Sequence, residues 1–448
     1  MFLPRFDVGG WGRRRRAIGL DSATLVSATL SAFLLLAAPS ARAFDVPDEF
    51  ASFQGFATLG LARGSSAEVG VVSNLAQKNP VFDQWSPNLD SLIGGQATFR
   101  FSASDALIAQ AVARAGDDWA PRLTLGFWRH QFEDGPTVRV GRITSPLFRD
   151  SDVINVGYAN LAVRPPLPIY MKVNAMPSFD GIDATWRWTL PSAELGLQAY
   201  YGGIGYENRV HPDDARDIKI RGRQMRGLAL SLRNGDFSAR LAHTVIPHFS
   251  FQSPDLDALN AGLTQMSGTL RSAFFRSAQA DALGDFFDPL DARSVYTSLG
   301  FEWSPDAWRV IGEWTHFESR SKITPSGAAW QLTVGRSFGR WTPYVTASHQ
   351  SSRPQPMDAT AFAPTGSAAF DAGLTAMQGQ IAYLRQTADV TMRSEGLGVR
   401  IDVADNLALK LQYERLHARY SAAVAPGLAG RVDPPAGNLF SVVLDMTF

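Results

Sequence analysis

The last eleven residues of the chain, Asn438-Leu-Phe-Ser-Val-Val-Leu-Asp-Met-Thr-Phe448, have the alternation of a β-strand. Side chains in a β-strand point alternately to opposite faces, so residues two apart share a face. One face of this segment is apolar, whereas the other is polar except for Val443; the apolar positions are Phe440, Val442, Leu444, Met446 and Phe448. An edge strand of a soluble sheet is one interpretation. A strand that turns its apolar face to lipid, with an aromatic residue at the interface, fits the pattern better.

The N-terminus has the features of an export signal. Four consecutive arginines, Arg13 to Arg16, precede an apolar run from Ala23 to Ala38, and Ala41-Arg-Ala43 matches a small-x-small cleavage site. A membrane anchor is disfavoured because a spanning helix needs about 20 apolar residues. The arginine run also raises a twin-arginine route, which is disfavoured because its substrates fold before export. We expect residues 1–43 to be a signal peptide and residues 44–448 to form one domain.

Composition narrows the class of protein. The chain has 42 basic and 42 acidic residues, and removal of the arginine-rich leader leaves it slightly acidic, so nucleic acid is not an expected partner. Cysteine is absent, and no disulfide can stabilise the exported chain. After Ala43 no apolar run is long enough for a spanning helix. The mature chain is therefore either periplasmic or a membrane barrel.

Sixteen segments after Ala43 alternate with period two, although the total could be off by two. In the segment 180–188, for example, Ile182, Ala184 and Trp186 alternate with Asp183 and Thr185. The predicted strands are 50–61, 91–101, 106–114, 122–132, 137–143, 180–188, 193–201, 225–233, 237–245, 295–303, 308–315, 330–338, 341–348, 396–403, 407–414 and 438–448.

The connections between these strands alternate in length. Tight turns such as Asn234-Gly235 alternate with longer connections at 62–90, 144–179, 202–224, 246–293, 349–393 and 418–437, and two others, near 115–121 and 319–328, are shorter. Short turns at one rim and long loops at the other are typical of outer-membrane barrels, as are strands of about 9–11 residues. Trp and Tyr near many strand ends predict an aromatic girdle. The sequence predicts an all-β fold, a transmembrane antiparallel β-barrel of about 16 strands.

Two stretches resemble the sixteen-stranded porin superfamily of Gram-negative bacteria. The last strand resembles the terminal strand in which a final Phe is the assembly signal, and Gly141-Arg142 matches a Gly-Arg that closes the fifth strand. The resemblance implies that the long third loop folds into the lumen and narrows it. It also implies a homotrimer among outer-membrane lipids and recognition of Phe440, Val442, Leu444, Met446 and Phe448 by the outer-membrane barrel assembly machinery.

The polar side chains at alternate positions of the strands are predicted to line the lumen. Its basic residues are Arg100, Arg114, Arg139, Arg187, Arg240, Arg309, Arg400 and Lys410, and its acidic residues are Asp183, Glu194, Glu313 and Glu414. In related porins a basic wall faces acidic residues of the third loop. The resemblance implies a pore constriction formed by Arg100, Arg114 and Arg139 opposite Asp150 and Asp152. The alternative for each charge is a rim position or a paired structural role.

The sequence predicts a channel for passive diffusion of small hydrophilic solutes and ions, with a weak anion preference from eight basic against four acidic groups. A substrate-specific channel for a sugar or an organic acid is the alternative, although most Trp residues lie on the apolar parity. A barrel adhesin or enzyme is less favoured. The seven histidines are scattered, no nucleophile motif occurs, and we expect no cofactor or metal, with Asp213-Asp214 read as solvated surface. The apolar residues of 255–279 recur at helical spacing and predict a helix at the mouth or in the lumen.

Overall fold

The computed structural model describes residues 50–67, 70–73, 77, 79–171, 176–208, 218–252, 254–274, 277–286, 291–322, 324–356, 359–386, 389–419 and 437–448. The chain divides into two units, Met1–Pro47 and Asp48–Phe448. The predicted signal peptide at 1–43 and the pair Asp213-Asp214 lie outside the described residues. All that follows concerns the second unit.

The second unit is a closed barrel of sixteen antiparallel strands, each paired with its neighbour in sequence, and the first pairs with the last. The predicted strand number is confirmed. The strands are β1 Ala51–Gly64, β2 Leu92–Arg100, β3 Asp105–Arg114, β4 Arg122–Gln131, β5 Thr137–Thr144, β6 Ser178–Thr189, β7 Glu194–Asn208, β8 Ile218–Asn234, β9 Phe237–Gln252, β10 Asp291–Trp303, β11 Trp308–Ser319, β12 Ser326–Arg336, β13 Trp341–Arg353, β14 Val390–Ala404, β15 Leu407–Arg419 and β16 Gly437–Thr447.

The two faces of the wall follow the predicted parities. In β16, Phe440 and Val442 are exposed on the outside, whereas Ser441, Val443 and Asp445 are buried inside. Val443, the exception in the sequence pattern, is an inward residue without any exposed surface. Exposed leucines cover the outer wall elsewhere, among them Leu195, Leu228, Leu230, Leu241, Leu299 and Leu397. An apolar outer face around a polar interior is the arrangement of a membrane barrel.

Exposed aromatic side chains surround the rim that carries the short turns. They include Phe101, Trp128, Phe132, Trp188, Trp303, Trp308, Phe338, Trp341 and Phe448. Aromatic rings favour the boundary between hydrocarbon and water, where one end is apolar and the other is wet. This ring of side chains is the predicted girdle, and it marks one edge of the apolar band.

Several strands extend further than predicted at the rim of the long loops. β7 continues to Asn208 and β8 begins at Ile218, so much of the predicted loop 202–224 is strand, and β9 continues to Gln252. The outward residues there are polar, for example Arg221 and Arg223. Alternation of apolar and polar residues therefore ends at the edge of the apolar band, although the backbone hydrogen bonding goes on.

Three of the long connections contain helices in their described residues. The helix predicted in 255–279 is confirmed as α2, Pro254–Phe274, and it is followed by α3, Ser277–Gly284, after the earlier α1, Leu167–Tyr170. A further helix, α4, Ala368–Gln386, was not predicted. Leu263, Leu283 and Ile381 are buried in one cluster that joins α2, α3 and α4. Among the described residues, no helix combines the length and the hydropathy needed to cross a membrane.

Candidate functional site: the third loop inside the barrel

The described residues of the loop between β5 and β6, 145–171 and 176–177, lie inside the barrel. Leu147, Phe148 and Tyr170 are buried among inward residues of the surrounding strands, and Leu167 packs with inward residues of β1, β14, β15 and β16. At its base the Ser145 N–H donates to the Pro177 carbonyl at 3.0 Å. The expectation of a third loop folded into the lumen is confirmed.

Gly141 prepares the exit from β5. Its φ is +132°, and a Cβ there would overlap the backbone of β4, so this position requires glycine. The next residue, Arg142, points outward and pairs with Asp180 of β6 at 2.8 Å. The Gly-Arg motif therefore serves the wall: the glycine permits close strand contact, and the arginine lies on the outer face.

The first attachment of the loop centres on Glu313 of β11. Its carboxylate accepts the Arg149 N–H at 2.8 Å and the Tyr170 hydroxyl at 2.7 Å. The Arg149 guanidinium pairs with Glu302 of β10 at 2.7 Å. Burial raises the pKa of Asp150 against the opposing effect of Arg149, and burial raises the pKa of Tyr170 well above its ordinary value. This end of the loop is held by a buried network.

The second attachment lies across the barrel, where β1 meets β16. Arg164 pairs with Asp90 at 2.7 Å through two nitrogens and with Glu414 of β15 at 3.2 Å. Burial alone would lower the pKa of Arg164, but Asp90 and Glu414 raise it above its ordinary value. Lys410 of β15 donates to the Gly157 carbonyl at 2.8 Å. The loop therefore spans the lumen from β10 and β11 to β15 and β16.

Gly157 is a point where the loop backbone lies directly against the wall. A Cβ at this position would overlap the Asp445 carboxylate and lie 2.5 Å from the Thr58 hydroxyl. Asp445 is fully buried and pairs with Lys410 at 2.9 Å. Only glycine leaves room for this approach.

A third group of polar and charged side chains links the loop to β5, β6, β7 and β9, and Asp152 is its well-exposed member, whereas Asp183 is buried. Asp152 on the loop, with 53% of its side chain exposed, pairs with Arg240 of β9 at 3.2 Å. Arg240 donates to Gln198 at 3.1 Å, and Gln198 donates to Asp183 of β6 at 2.7 Å. Asp183 accepts hydrogen bonds from both Nε and Nη2 of Arg139 of β5, and the charge of Asp152 also stabilises that guanidinium. We call Arg139, Asp152, Asp183, Gln198 and Arg240 the polar strip.

The five residues predicted for the constriction lie in different places. Arg139 and Asp152 belong to the polar strip. Arg114 donates to Asn155 of the loop, and Asp150 is buried beside Arg149. Arg100 is the exposed last residue of β2 at the short-turn rim, and it donates to Ser52 at 3.4 Å. The structure thus brings four of the five to the loop, and their role in permeation stays a prediction.

The excess of basic over acidic groups is smaller than the sequence count suggested. Three acids left out of that count pair with basic residues inside the barrel: Glu302 with Arg309 at 2.7 Å, Asp402 with Arg400 at 2.8 Å, and Asp445 with Lys410 at 2.9 Å. Sequence reasoning also missed Arg149 and Arg164 on the loop. An arginine among apolar residues, as in Val163-Arg-Pro-Pro166, was the available signal. In the part of the chain that the structure describes, no cluster of three or more His, Asp and Glu side chains could hold a metal ion.

Comparison of the whole chain with known proteins identifies the fold. No protein-family model matches the sequence, and no curated protein does either. Solved structures do match. The fold is that of the sixteen-stranded Gram-negative outer-membrane porins.

Three similar structures each have a TM-score of 0.50. OmpT of Vibrio cholerae, in a trimer form, is 9% identical, with 89% of this chain and 100% of that chain covered. The anion-selective porin from Comamonas acidovorans is 10% identical, with 89% and 99% covered. Salmonella typhi OmpF, in complex with daunomycin, is 11% identical, with 90% and 99% covered. At these identities the likeness establishes the fold.

Proposed function

We propose that the protein is an outer-membrane channel, without enzymatic activity, for passive diffusion of small hydrophilic solutes and ions. The observation that carries the proposal is the third loop inside the barrel, with the polar strip beside it and the Asp152 carboxylate of that strip exposed to water. A loop fixed at both sides of the lumen narrows the passage, and charged groups that contact water favour polar solutes at the narrowing. The porin fold agrees with this function.

The polar strip also sets the selectivity that we propose. It carries two arginines, Arg139 and Arg240, and two carboxylates, Asp152 and Asp183, so its formal charges cancel. The weak anion preference expected from the wall therefore depends on Asp152, the most exposed of these charges. Selectivity should be weak in the native protein and should change in sign or size when a single charge of the strip is removed.

Planar-bilayer recordings in a salt gradient test both the channel activity and the dependence of its selectivity on the polar strip. Asp152→Asn should move the zero-current potential toward anions, and Arg240→Gln should move it toward cations. Arg187→Gln is the matched control, because Arg187 lies at the short-turn rim with 62% of its side chain exposed. High salt should shrink all the differences, since the screening length is about 10 Å at 0.1 M and falls further. If folded barrels do not conduct, the proposal of a channel is wrong. If the flux of a sugar or an organic acid saturates with concentration, the protein is instead the substrate-specific channel.

We further propose that the channel is a homotrimer. The outer face of β2 and β3 offers small side chains that a second copy could approach closely; they are Gly95, Ala97, Ala109 and Ala111. Light scattering of the detergent-solubilised protein should give three chains per particle. Ala97→Trp should reduce the particle to a monomer that still conducts, whereas a monomeric wild type would end the trimer proposal.

A further inference from the structure

The connection between β9 and β10 and the connection between β13 and β14 meet through their helices. Helices α2 and α3 belong to the first connection, and α4 belongs to the second. Leu259 and Leu263 of α2 and Ile381 of α4 are buried in the same cluster. The Gln279 side chain of α3 donates to the Ala363 carbonyl, which lies before α4 in the chain, at 2.6 Å. We call this body of three helices the cap.

The cap is also tied to the connection between β11 and β12. Arg385, near the end of α4, donates to the Lys322 carbonyl at 3.2 Å and to the Gln355 carbonyl. Three connections that leave the barrel at different strands are therefore joined to one another. They lie at the rim of the long loops, which faces the cell exterior in an outer-membrane barrel.

A reciprocal contact of two methionines with two glycines joins α2 to α4. Gly262 and Met266 lie one turn apart on α2, and Gly373 and Met377 lie one turn apart on α4. The Met377 methyl group would overlap a Cβ at Gly262. The Met266 methyl group is 3.4 Å from the place where a Cβ at Gly373 would lie. Each methionine therefore rests on the glycine of the other helix, and the two helices cross in opposite directions.

This contact suits a thioether and does not suit a polar group. Met266 and Met377 are half-buried, so a small solute can reach them, and they pack against the apolar cluster of the cap. The two glycines lie inside helices, where the backbone N–H groups already donate to carbonyls of the preceding turn. A sulfoxide oxygen at either methionine would lie against apolar groups without a hydrogen bond, which is destabilising.

We propose that Met266 and Met377 are an oxidation site whose modification loosens the contact between α2 and α4. The oxidant is a hydroperoxide. A lone pair of the Sδ atom attacks the terminal peroxide oxygen, the O–O bond breaks and an S–O bond forms. Sulfur loses two electrons and the leaving oxygen gains them; that oxygen takes the proton of the transferred hydroxyl and departs as water or an alcohol. Reduction of the sulfoxide to the thioether restores the contact.

Amide hydrogen exchange of the full chain, folded in detergent, tests the proposal, because the exchange rate of a helical amide follows the fraction of time for which the helix is open. After treatment with hydrogen peroxide, the amides of α4 should exchange about tenfold faster, the effect expected from one buried polar group without a partner. The amides of β13 and β14 should exchange as before. Peptide mass spectrometry should find the sulfoxide at both methionines, and methionine sulfoxide reductases should restore slow exchange.

Variants separate this site from general oxidative damage. Met266→Leu, Met377→Leu keeps apolar side chains of similar volume and should make the exchange of α4 insensitive to peroxide. The matched control Met225→Leu, Met392→Leu removes two thioethers that are fully buried in the barrel wall, and it should respond to peroxide as the wild type does. Met377→Gln places an amide at the contact and should speed the exchange of α4 without an oxidant.

Two results would overturn the inference. One is an equal response to peroxide by the double-leucine variant and its control. The other is slow exchange of α4 in a wild-type protein that carries both sulfoxides, or in Met377→Gln.

Discussion

At the scale of single residues, the face on which a side chain lies decides the effect of a charge. Leu444 points out of β16 between Leu59 and Leu409, whereas Thr447 points inward at the rim. An arginine facing hydrocarbon near the bilayer midplane costs about 2–4 kcal/mol, and a hydrated lumen imposes no such cost. We expect Leu444→Arg to lower the free energy of unfolding by about that amount and Thr447→Arg by much less. Reversible denaturation in lipid vesicles measures both, and the reverse order would contradict the assigned faces.

The alternation of apolar and polar residues predicted which strand side chains point inward and which point outward, because alternation is a local property of the backbone. It did not predict which charged side chains form ion pairs with one another. Lys410 was expected to line the lumen, and it is instead fully buried between Asp445 and the Gly157 carbonyl. The partner on the loop lies 253 positions away in the sequence, and no local pattern encodes such a contact.

At the scale of elements, the third loop depends on its attachment at Arg164. This arginine and its partner Asp90 are almost fully buried, and removal of one member of a buried ion pair costs about 3–5 kcal/mol because the other charge is left unpaired. Arg164→Gln should free this end of the loop, raise single-channel conductance and increase current noise. Recordings on reconstituted protein would reveal the change, and a quiet channel of native conductance would argue against the attachment.

A surface arginine provides the control for that variant. Arg393 pairs with Glu395 on an exposed part of β14, with 63% and 46% of the side chains exposed. Exposed ion pairs contribute about 0–1 kcal/mol, so Arg393→Gln should leave both conductance and noise unchanged. The comparison separates the effect of a lost attachment from that of a lost positive charge.

At the scale of the whole molecule, the terminal residue closes the barrel. Phe448 exchanges backbone hydrogen bonds with Gly55 of β1 at 2.6 and 2.9 Å, and a Cβ at Gly55 would overlap its ring. Deletion of Phe448 should lower the yield of heat-modifiable barrel in the outer membrane. Gly55→Leu fills the space over Gly55 that the Phe448 ring occupies, and it should also lower the yield. Phe338→Ala removes another aromatic ring at the same rim and should leave the yield unchanged. If the deletion variant assembles normally at low expression, Phe448 is not an assembly signal.

The number of strands and the alternation of loop lengths could be predicted from the sequence, because both follow from period two and from turn residues, which are local signals. The inward position of the third loop was expected only from the resemblance to porins. The ends of the long strands, the helix α4 and the networks around Arg149 and Arg164 could not be predicted. These features depend on contacts between distant segments, and the helices α2 and α4 bury their apolar residues against each other.

The attachment at Arg164 has a consequence for the timing of biogenesis. Its partners belong to the connection before β2, to β15 and to β16, so the complete set of contacts forms only after the first and the last strands have both arrived. A nascent barrel whose first and last strands have not paired lacks this second attachment of the loop. We therefore expect narrowing of the passage to be completed only when the barrel closes, and a precursor trapped before closure to be leaky.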